Sequence, residues 1–437
     1  MSRHFFVFAL LACAVATEPM FAQQDACSFD FNSNQFDSSV SRAGSGDWDG
    51  DGDIDLAVFL PGPIEIALLE NDGFGQFSVA STFPTGNDDF DAASAILADM
   101  DGDNDLDLVV RYFVDQRIGI FLNDGNGVFT GPLNTDVSFF SSGVGVVDLD
   151  GDSDLDLIVP QRFEILSGAP GIVEIFLNNG DATFEPGISI ASPPNPGGPS
   201  FADLNGDDQL DMVMGGSSTL SVYLGNGDGT FGPEMQFSAP ARASIVYLAD
   251  FDGDGALDVV LSNFSNGIFT LRGDGQGGFD NPTAVVLDDD ESGYRIEIGV
   301  FDIDGDQDID LLALDGGGSE VELYLNDGTG NFDLDFEAVL GEFSPNAVPL
   351  GDFDGDGTID AAISFSSGEL FQLYFQCQQD VLFGDINLDG AVNLLDVGLF
   401  IDLVSSGQFQ LEADLNRDNE VNLLDIQPFV NALQGGP

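Results

Sequence analysis

Asp47-Trp48-Asp49-Gly50-Asp51-Gly52-Asp53-Ile54-Asp55 places five carboxylates in nine residues. Like charges packed that tightly repel one another, and the stretch has no apolar run with which to bury itself. Calcium resolves the conflict, because it takes six to eight oxygen ligands from such loops. A solvated acidic turn would account for one copy of this stretch, but not for the seven that follow one another in register.

The opening Asp of the stretch recurs at 47, 99, 148, 203, 250, 302 and 352, at intervals of 47 to 55 residues. A period near 50 marks an array of supersecondary units. The fifth copy shows the grammar best. An apolar run at 244–248 leads into the acidic loop 250–258. Val259-Val260-Leu261 follows, then a turn at Ser265-Asn266-Gly267, the run 268–271, a Gly-rich turn at 273–278, Phe279 and a last run ending near Leu287. Four short β segments with turn chemistry between them, and no helical period, predict a propeller of four-stranded blades.

A second mark recurs with each loop, a turn followed by phenylalanine. Its copies are Asn71-Asp72-Gly73 with Phe77, Asn123-Asp124-Gly125 with Phe129, and Asn178-Asn179-Gly180 with Phe184. They continue as Gly225-Asn226-Gly227 with Phe231, Gly273-Asp274-Gly275 with Phe279, and Asn326-Asp327-Gly328 with Phe332. Asn, Asp and Gly supply the positive φ that such hairpins need, and the phenylalanines are expected in the blade core. The seventh unit stops at Cys377 without this half. Asn32-Ser33-Asn34-Gln35-Phe36 reads as the missing turn and Phe, so the N-terminal segment is expected to complete the last of seven blades. Cys27 and Cys377 then fall on neighbouring strands, where a disulfide would lock the closure.

Within each loop, oxygen donors fall at positions 1, 3, 5 and 9, and a backbone carbonyl is expected at 7. The predicted sites are Asp47, Asp49, Asp51, Asp53 and Asp55; Asp99, Asp101, Asp103, Asp105 and Asp107; and Asp148, Asp150, Asp152, Asp154 and Asp156. The remaining four are Asp203, Asn205, Asp207, Gln209 and Asp211; Asp250, Asp252, Asp254, Ala256 and Asp258; Asp302, Asp304, Asp306, Asp308 and Asp310; and Asp352, Asp354, Asp356, Thr358 and Asp360. Position 4 is Gly in every copy, letting the chain wrap the ion closely. Trp48, inside the first loop, is expected to pack rather than to bind sugar.

After residue 380 the grammar changes. Asp385, Asn387, Asp389, Ala391, Asn393 and Asp396 form a twelve-residue loop ahead of an apolar helical stretch. Asp414, Asn416, Asp418, Glu420, Asn422 and Asp425 repeat it 29 residues later. This predicts a small α domain over 381–437 behind a propeller over 23–380.

The chain carries 9 cationic residues against 77 acidic ones, for a net charge of −68. Nucleic acid and anionic membrane surfaces are thereby disfavoured as partners. A 43% hydrophobic content with 39 phenylalanines supports a folded core despite the acidity. Residues 1–22 read as a secretory signal cleaved before Gln23, or within Ala14-Val15-Ala16; Leu10-Leu11-Ala12-Cys13 also resembles a lipobox with Cys13 as the lipidated residue. No other stretch is long enough to span a bilayer. Loss of the signal removes His4, the only histidine, and the chain has no lysine. His-based triads, lysine Schiff bases and histidine-ligated zinc are therefore excluded from the mature protein.

The loops and blade grammar resemble FG-GAP/VCBS repeats, the units of the integrin α-chain propeller and of many secreted bacterial proteins. That resemblance implies about seven Ca²⁺ sites on one propeller face. Residues 381–437 resemble a type I dockerin, implying two further Ca²⁺ and a cohesin-like or other docking partner. Two departures stand out: Asn419 replaces Gly in the second loop, and both copies carry Leu-Leu (Leu394-Leu395, Leu423-Leu424) where dockerins usually present a polar pair.

Opposite the acidic loops, the sequence places Arg111, Arg117 and Arg162 in second-to-third connections and Arg42, Arg242 and Arg295 near the start of first strands. Tyr112, Phe163 and Tyr294 lie beside them. Only Arg272 falls on the acidic side. This distribution is read as a ligand face for an anion such as an acidic polysaccharide, or for an extracellular protein, with local pairing to carboxylates as the alternative. The functional expectation is a secreted or cell-surface, non-enzymatic binding propeller. The alternative is a component of polysaccharide breakdown, a lyase or a hydrolase partner.

Overall fold

The computed structural model describes residues 28–376 apart from short connections at 36–40, 61–64, 85–91, 113–114, 163–169, 241–242, 264–266, 287–294, 316–319, 340–344, 348, 356–357 and 366–368; beyond 376 it describes only residues 397 and 400. Cys27–Cys377 forms one compact unit. The signal segment, both cysteines of the expected disulfide and the two twelve-residue loops lie outside the described residues. In the second unit, Val397 and Phe400 have helical backbone.

Six blades are each built from one continuous stretch of chain. Blade 1 shows the plan: Ser41–Gly46, Asp55–Leu60, Glu65–Asn71 and Phe77–Pro84 pair antiparallel in chain order. Blades 2 to 6 span 92–136, 140–194, 199–238, 243–286 and 295–339. In blade 3 the first strand is split into Phe140–Ser141 and Gly145–Val147. Seven blades are expected from the repeat count, the last completed by the N-terminal segment; the structure forms six continuous blades, and the seventh unit is not one of them. Among the described residues from Asp360 onward there are the strands Asp360–Phe365 and Glu369–Gln376 and no fourth strand.

That remainder forms a composite sheet. Ser28–Gln35, from the other end of the chain, pairs along the whole of Glu369–Gln376, from Ser28↔Gln376 to Gln35↔Glu369. Asn32 to Gln35 are therefore strand rather than the hairpin turn that the Asn-Ser-Asn spelling implies. The spelling misleads because a hairpin needs a preceding strand in the same chain segment, and here the partner strand arrives from the C-terminal end. The last described pair, Ser28↔Gln376, adjoins both cysteines in the sequence.

Second strands are buried end to end, as Asp55–Leu60 and Asp107–Tyr112 are, third strands such as Arg117–Leu122 are buried through their middle, and the fourth strand Thr130–Asp136 is largely exposed. Continuous burial explains why these strands read as runs of Val, Ile, Leu and Phe rather than as an alternation. Each hydrophobic cluster is shared by two neighbouring sheets. Ala57, Phe59, Ile66 and Leu68 of blade 1 pack on Leu108, Val110 and Phe121 of blade 2. The composite sheet is held on both sides: Ala361 and Ile363 pack on Leu312 and Leu314 of blade 6, and Phe353 and Ala362 on Leu56, Val58 and Phe77 of blade 1.

Phe353 is fully buried and meets the Phe77 ring edge-on at 5.6 Å. Phe353→Ala should cost about 3–5 kcal/mol by cavity formation. Phe74→Ala, at a ring 78% exposed, should change stability by less than about 0.5 kcal/mol. Denaturant unfolding of the two variants measures the difference; equal effects would mean that the composite sheet does not pack on blade 1.

Candidate metal centres

Each acidic loop joins the first strand of a sheet to the second, and its ninth residue is already in the ladder, as Gly46↔Asp55 and Ala98↔Asp107 show. This Asp is buried in all seven copies: 55, 107, 156, 211, 258, 310 and 360. Its carboxylate ties three pieces of backbone together. One oxygen of Asp107 accepts from the Met100 N–H at 2.9 Å, and the other from the Asn123 N–H of the turn between third and fourth strands at 2.8 Å. Asp55, Asp156 and Asp310 repeat the arrangement with Asn71, Asn178 and Asn326; Asp211 and Asp258 repeat it with Gly225 and Gly273.

Position 1 serves the loop's own backbone. Asp47 accepts from the N–H groups of Gly50 and Gly52, and Asp99 from those of Gly102 and Asn104. Positive φ at position 4, the expected Gly, aims the first of these donors. The second depends on positive φ at position 6, found at Gly52, Asn104, Ser153, Asp208, Gly255 and Gln307. Only two of these six are glycine, so the requirement is not visible as a glycine column.

Carboxylates converge in these loops. Asp47, Asp49 and Asp55 each bring an oxygen within 4.8 Å of the others, as do Asp99, Asp101 and Asp107, and Asp148, Asp150 and Asp156. In the fifth and sixth loops the converging sets are Asp250, Asp252 and Asp254, and Asp302, Asp304 and Asp306. The position-7 side chains pack instead against the turn glycine of the same blade: a Cβ at Gly73, Gly125, Gly180 or Gly328 would collide with Asp53, Asp105, Asp154 or Asp308.

Burial pushes the Asp55 and Asp310 carboxyls up to about 7 and those of Asp107 and Asp156 to about 6, against the lowering effect of their backbone donors. Burial and then the neighbouring carboxylates also raise Asp49, Asp101 and Asp150. Asp101 Oδ1, Asp250 Oδ1 and Asp252 Oδ1 are buried with no hydrogen-bond donor. An all-oxygen set with raised carboxyls and donorless buried oxygens fits a hard divalent cation. Positions 1, 3 and 9 would hold it in the first three loops, and positions 1, 3 and 5 in the fifth and sixth.

Two features tie loops to the next blade, and the second, seen at four junctions, is not legible in the sequence alone. The position-2 side chain is a wedge under the following blade's phenylalanine. Trp48 lies 6.3 Å from Phe129, and Phe251 lies 5.7 Å from Phe332. Trp48 is 4% exposed, in keeping with the packing role expected of it. The turn Asn then bonds back across the junction. Asn123 Nδ2 donates to Trp48 O at 2.6 Å, Asn178 to Met100 O, Asn326 to Phe251 O, and Asn71 to Phe353 O, each of these three at 2.8 Å.

Residues 47–110, 99–159, 161–214, 203–261, 250–313 and 302–363 match the FG-GAP-like repeat. The chain belongs to the FG-GAP-like repeat family. The matched repeats start on the acidic loops in five of six cases, so an FG-GAP repeat here runs from one loop into the next. Residues 383–434 match the type I dockerin domain, a module that binds calcium and cohesin partners. Among curated proteins there is no match. A solved structure of a lectin from Agrocybe aegerita, described as recognising non-reducing terminal N-acetylglucosamine, is 21% identical, with a TM-score of 0.50 over 77% of this chain and 86% of the lectin. Two structures of BBS1N in complex with ARL6DN are each 14% identical, with TM-scores of 0.55 and 0.54 over 79% and 78% of this chain and 95% and 94% of theirs. At these identities the likeness concerns the fold alone.

The anion face is corrected in part. The backbone puts Arg42, Arg111, Arg117, Arg162 and Arg295 at the strand ends away from the acidic loops. Arg111 and Tyr112, however, are 4% and 1% exposed, and Arg111 donates to Ser141 O of blade 3 at 2.7 Å. Both are internal, because the second strand stays buried to its last residue. Arg117 lies 4.2 Å from the Tyr112 ring centroid and pairs with Asp115 at 3.3 Å. Arg162 donates to Pro196 O. The side chains of Arg42, Phe163, Arg242, Tyr294 and Arg295 lie outside the described residues.

The raised position-9 carboxyls give the metal-free protein a characteristic pH dependence. Folding takes up protons where the folded pKa exceeds the ordinary 3.8, so stability falls as pH rises from about 4 towards 7. Thermal melts after metal removal should therefore show a falling midpoint over that window, and saturating calcium should flatten it. A midpoint that rises over the same window would contradict the assignment.

Proposed function

We propose that this protein is a secreted, calcium-stabilised binding propeller, without catalytic activity, that is attached or assembled through its C-terminal dockerin segment. The observation that carries the reading is the pairing of FG-GAP-like repeats with a type I dockerin match in one chain. The composite sheet acts as a seventh blade, and a Cys27–Cys377 disulfide clasps it. The support for closure is the ladder Ser28↔Gln376, which runs up to both cysteines, and the packing of that sheet on blades 1 and 6. Seven calcium ions in the propeller and two in the dockerin segment complete the account.

The ligand is an extracellular protein or a polysaccharide, bound on the face away from the acidic loops. Arg162 supports an anionic group there: among the described arginines of that face whose side chains are placed, it has no carboxylate partner. Absence of catalysis rests on the missing histidine and lysine of the mature chain and on the engagement of the clustered carboxylates in loop geometry. The dockerin segment also favours a second reading, a lyase or hydrolase-associated component of extracellular polysaccharide degradation.

Metal analysis of the purified mature chain should return about nine calcium ions per molecule, and chelation should lower the melting midpoint strongly. A midpoint unmoved by chelation would remove the calcium reading. Glycan and protein arrays, including acidic polysaccharides and N-acetylglucosamine-terminated glycans, then separate the functions. Binding without turnover is expected, and turnover of any glycan would establish the enzymatic alternative.

A further inference from the structure

The fifth acidic loop differs from the others in its charge. Arg272, just after the third strand of blade 5, places Nη1 2.8 Å from Asp252 Oδ2. Its Nη2 donates at 3.0 Å to the carbonyl of Thr329, in the turn of blade 6. Asp252 is position 3 of the loop and its side chain is only 9% exposed. The other oxygen, Asp252 Oδ1, is buried without a donor, as is Asp250 Oδ1. Among the described residues, the acidic loops of blades 1 to 4 and 6 carry no ion pair. The fifth loop also has Ala256 at position 7, where the first, second, third and sixth loops have Asp.

We propose that Arg272 is a built-in counter-charge that lowers the calcium affinity of the fifth loop and holds that loop, and its junction with blade 6, in place when calcium is scarce. The proposal rests on the calcium reading of the loops. A guanidinium on Asp252 offsets part of the carboxylate repulsion that would otherwise favour metal uptake. Its positive charge also opposes the incoming cation. Both effects act in the same direction, whereas orientation of Asp252 by the ion pair would act oppositely. Coulomb attraction between close charges, doubled for a divalent ion and reduced by the partial exposure of Arg272, makes the electrostatic effect about tenfold in affinity. The bond to Thr329 O adds a charged contact to a junction that Asn326 already bridges through Phe251 O.

The test is calcium titration of the metal-stripped full chain by competition with a chelating dye, for wild type, R272Q, R272K and R117Q. Wild type should show one site about tenfold weaker than the other propeller sites. R272Q should bring that site into the main class and lower the metal-free melting midpoint more than the calcium-loaded one. R272K, which keeps the charge, should titrate like wild type, and so should R117Q, whose cation lies at the far face. An R272Q curve that overlays wild type, loses a site, or is reproduced by R272K would overturn the proposal. Absence of calcium binding in wild type would instead overturn the calcium reading on which it rests.

Discussion

The fold turns on a buried carboxylate. The ninth residue of each acidic loop lies inside the protein and accepts a hydrogen bond from the loop and, in the six continuous blades, another from the turn of its own blade. A charged group there is costly unless it is paired and hydrogen-bonded. Two backbone donors satisfy it in part, and the convergence of positions 1 and 3 on the same point leaves a concentration of negative charge that backbone dipoles do not balance. A divalent cation would complete the balance. Position 2 wedges under the next blade, so whatever orders the loop also orders the junction. Electrostatics at the rim and apolar packing between the blades are thus one cooperative arrangement.

The same logic accounts for the composition. A chain with a net charge of −68 would be expected to expand, yet many of its acids lie in loops where a bound cation would convert repulsion into attraction. The apolar residues lie in second and third strands buried on both faces, which is why hydropathy along them shows runs rather than alternation. The one cation among the placed side chains on the acidic rim, Arg272, sits on a loop carboxylate.

Much of this is legible in the sequence. The spacing of Asp47, Asp99 and their successors locates the loops, and the turn-plus-Phe mark locates the second hairpin of each blade. The packing role of Trp48 is also legible. The Asn of the turn reads only as a turn former, whereas Asn71, Asn123, Asn178 and Asn326 also cross to the neighbouring blade, a contact between residues some 75 to 282 positions apart that no local pattern announces. Positive φ at position 6 escapes the sequence because Asn104, Ser153, Asp208 and Gln307 share a backbone need rather than a residue type. Counting loops gives seven units where six are continuous, since a loop does not guarantee a fourth strand after it. Placing arginines by connection identifies the correct end of the blade for Arg111, but not its burial, which depends on the adjacent blade filling the space around it.

The central claim is that cation binding in the acidic loops and packing between blades are one event. Hydrogen exchange at the backbone amides of Asn71, Asn123, Asn178 and Asn326, which donate to the position-9 carboxylates, measures it directly. The account predicts strong protection with calcium, and on chelation a loss of protection shared with the position-2 amides of Trp48, Met100, Phe251 and Phe353 across each junction. Protection of these amides that is unchanged by chelation, or loss confined to the loops with the turns still protected, would contradict it.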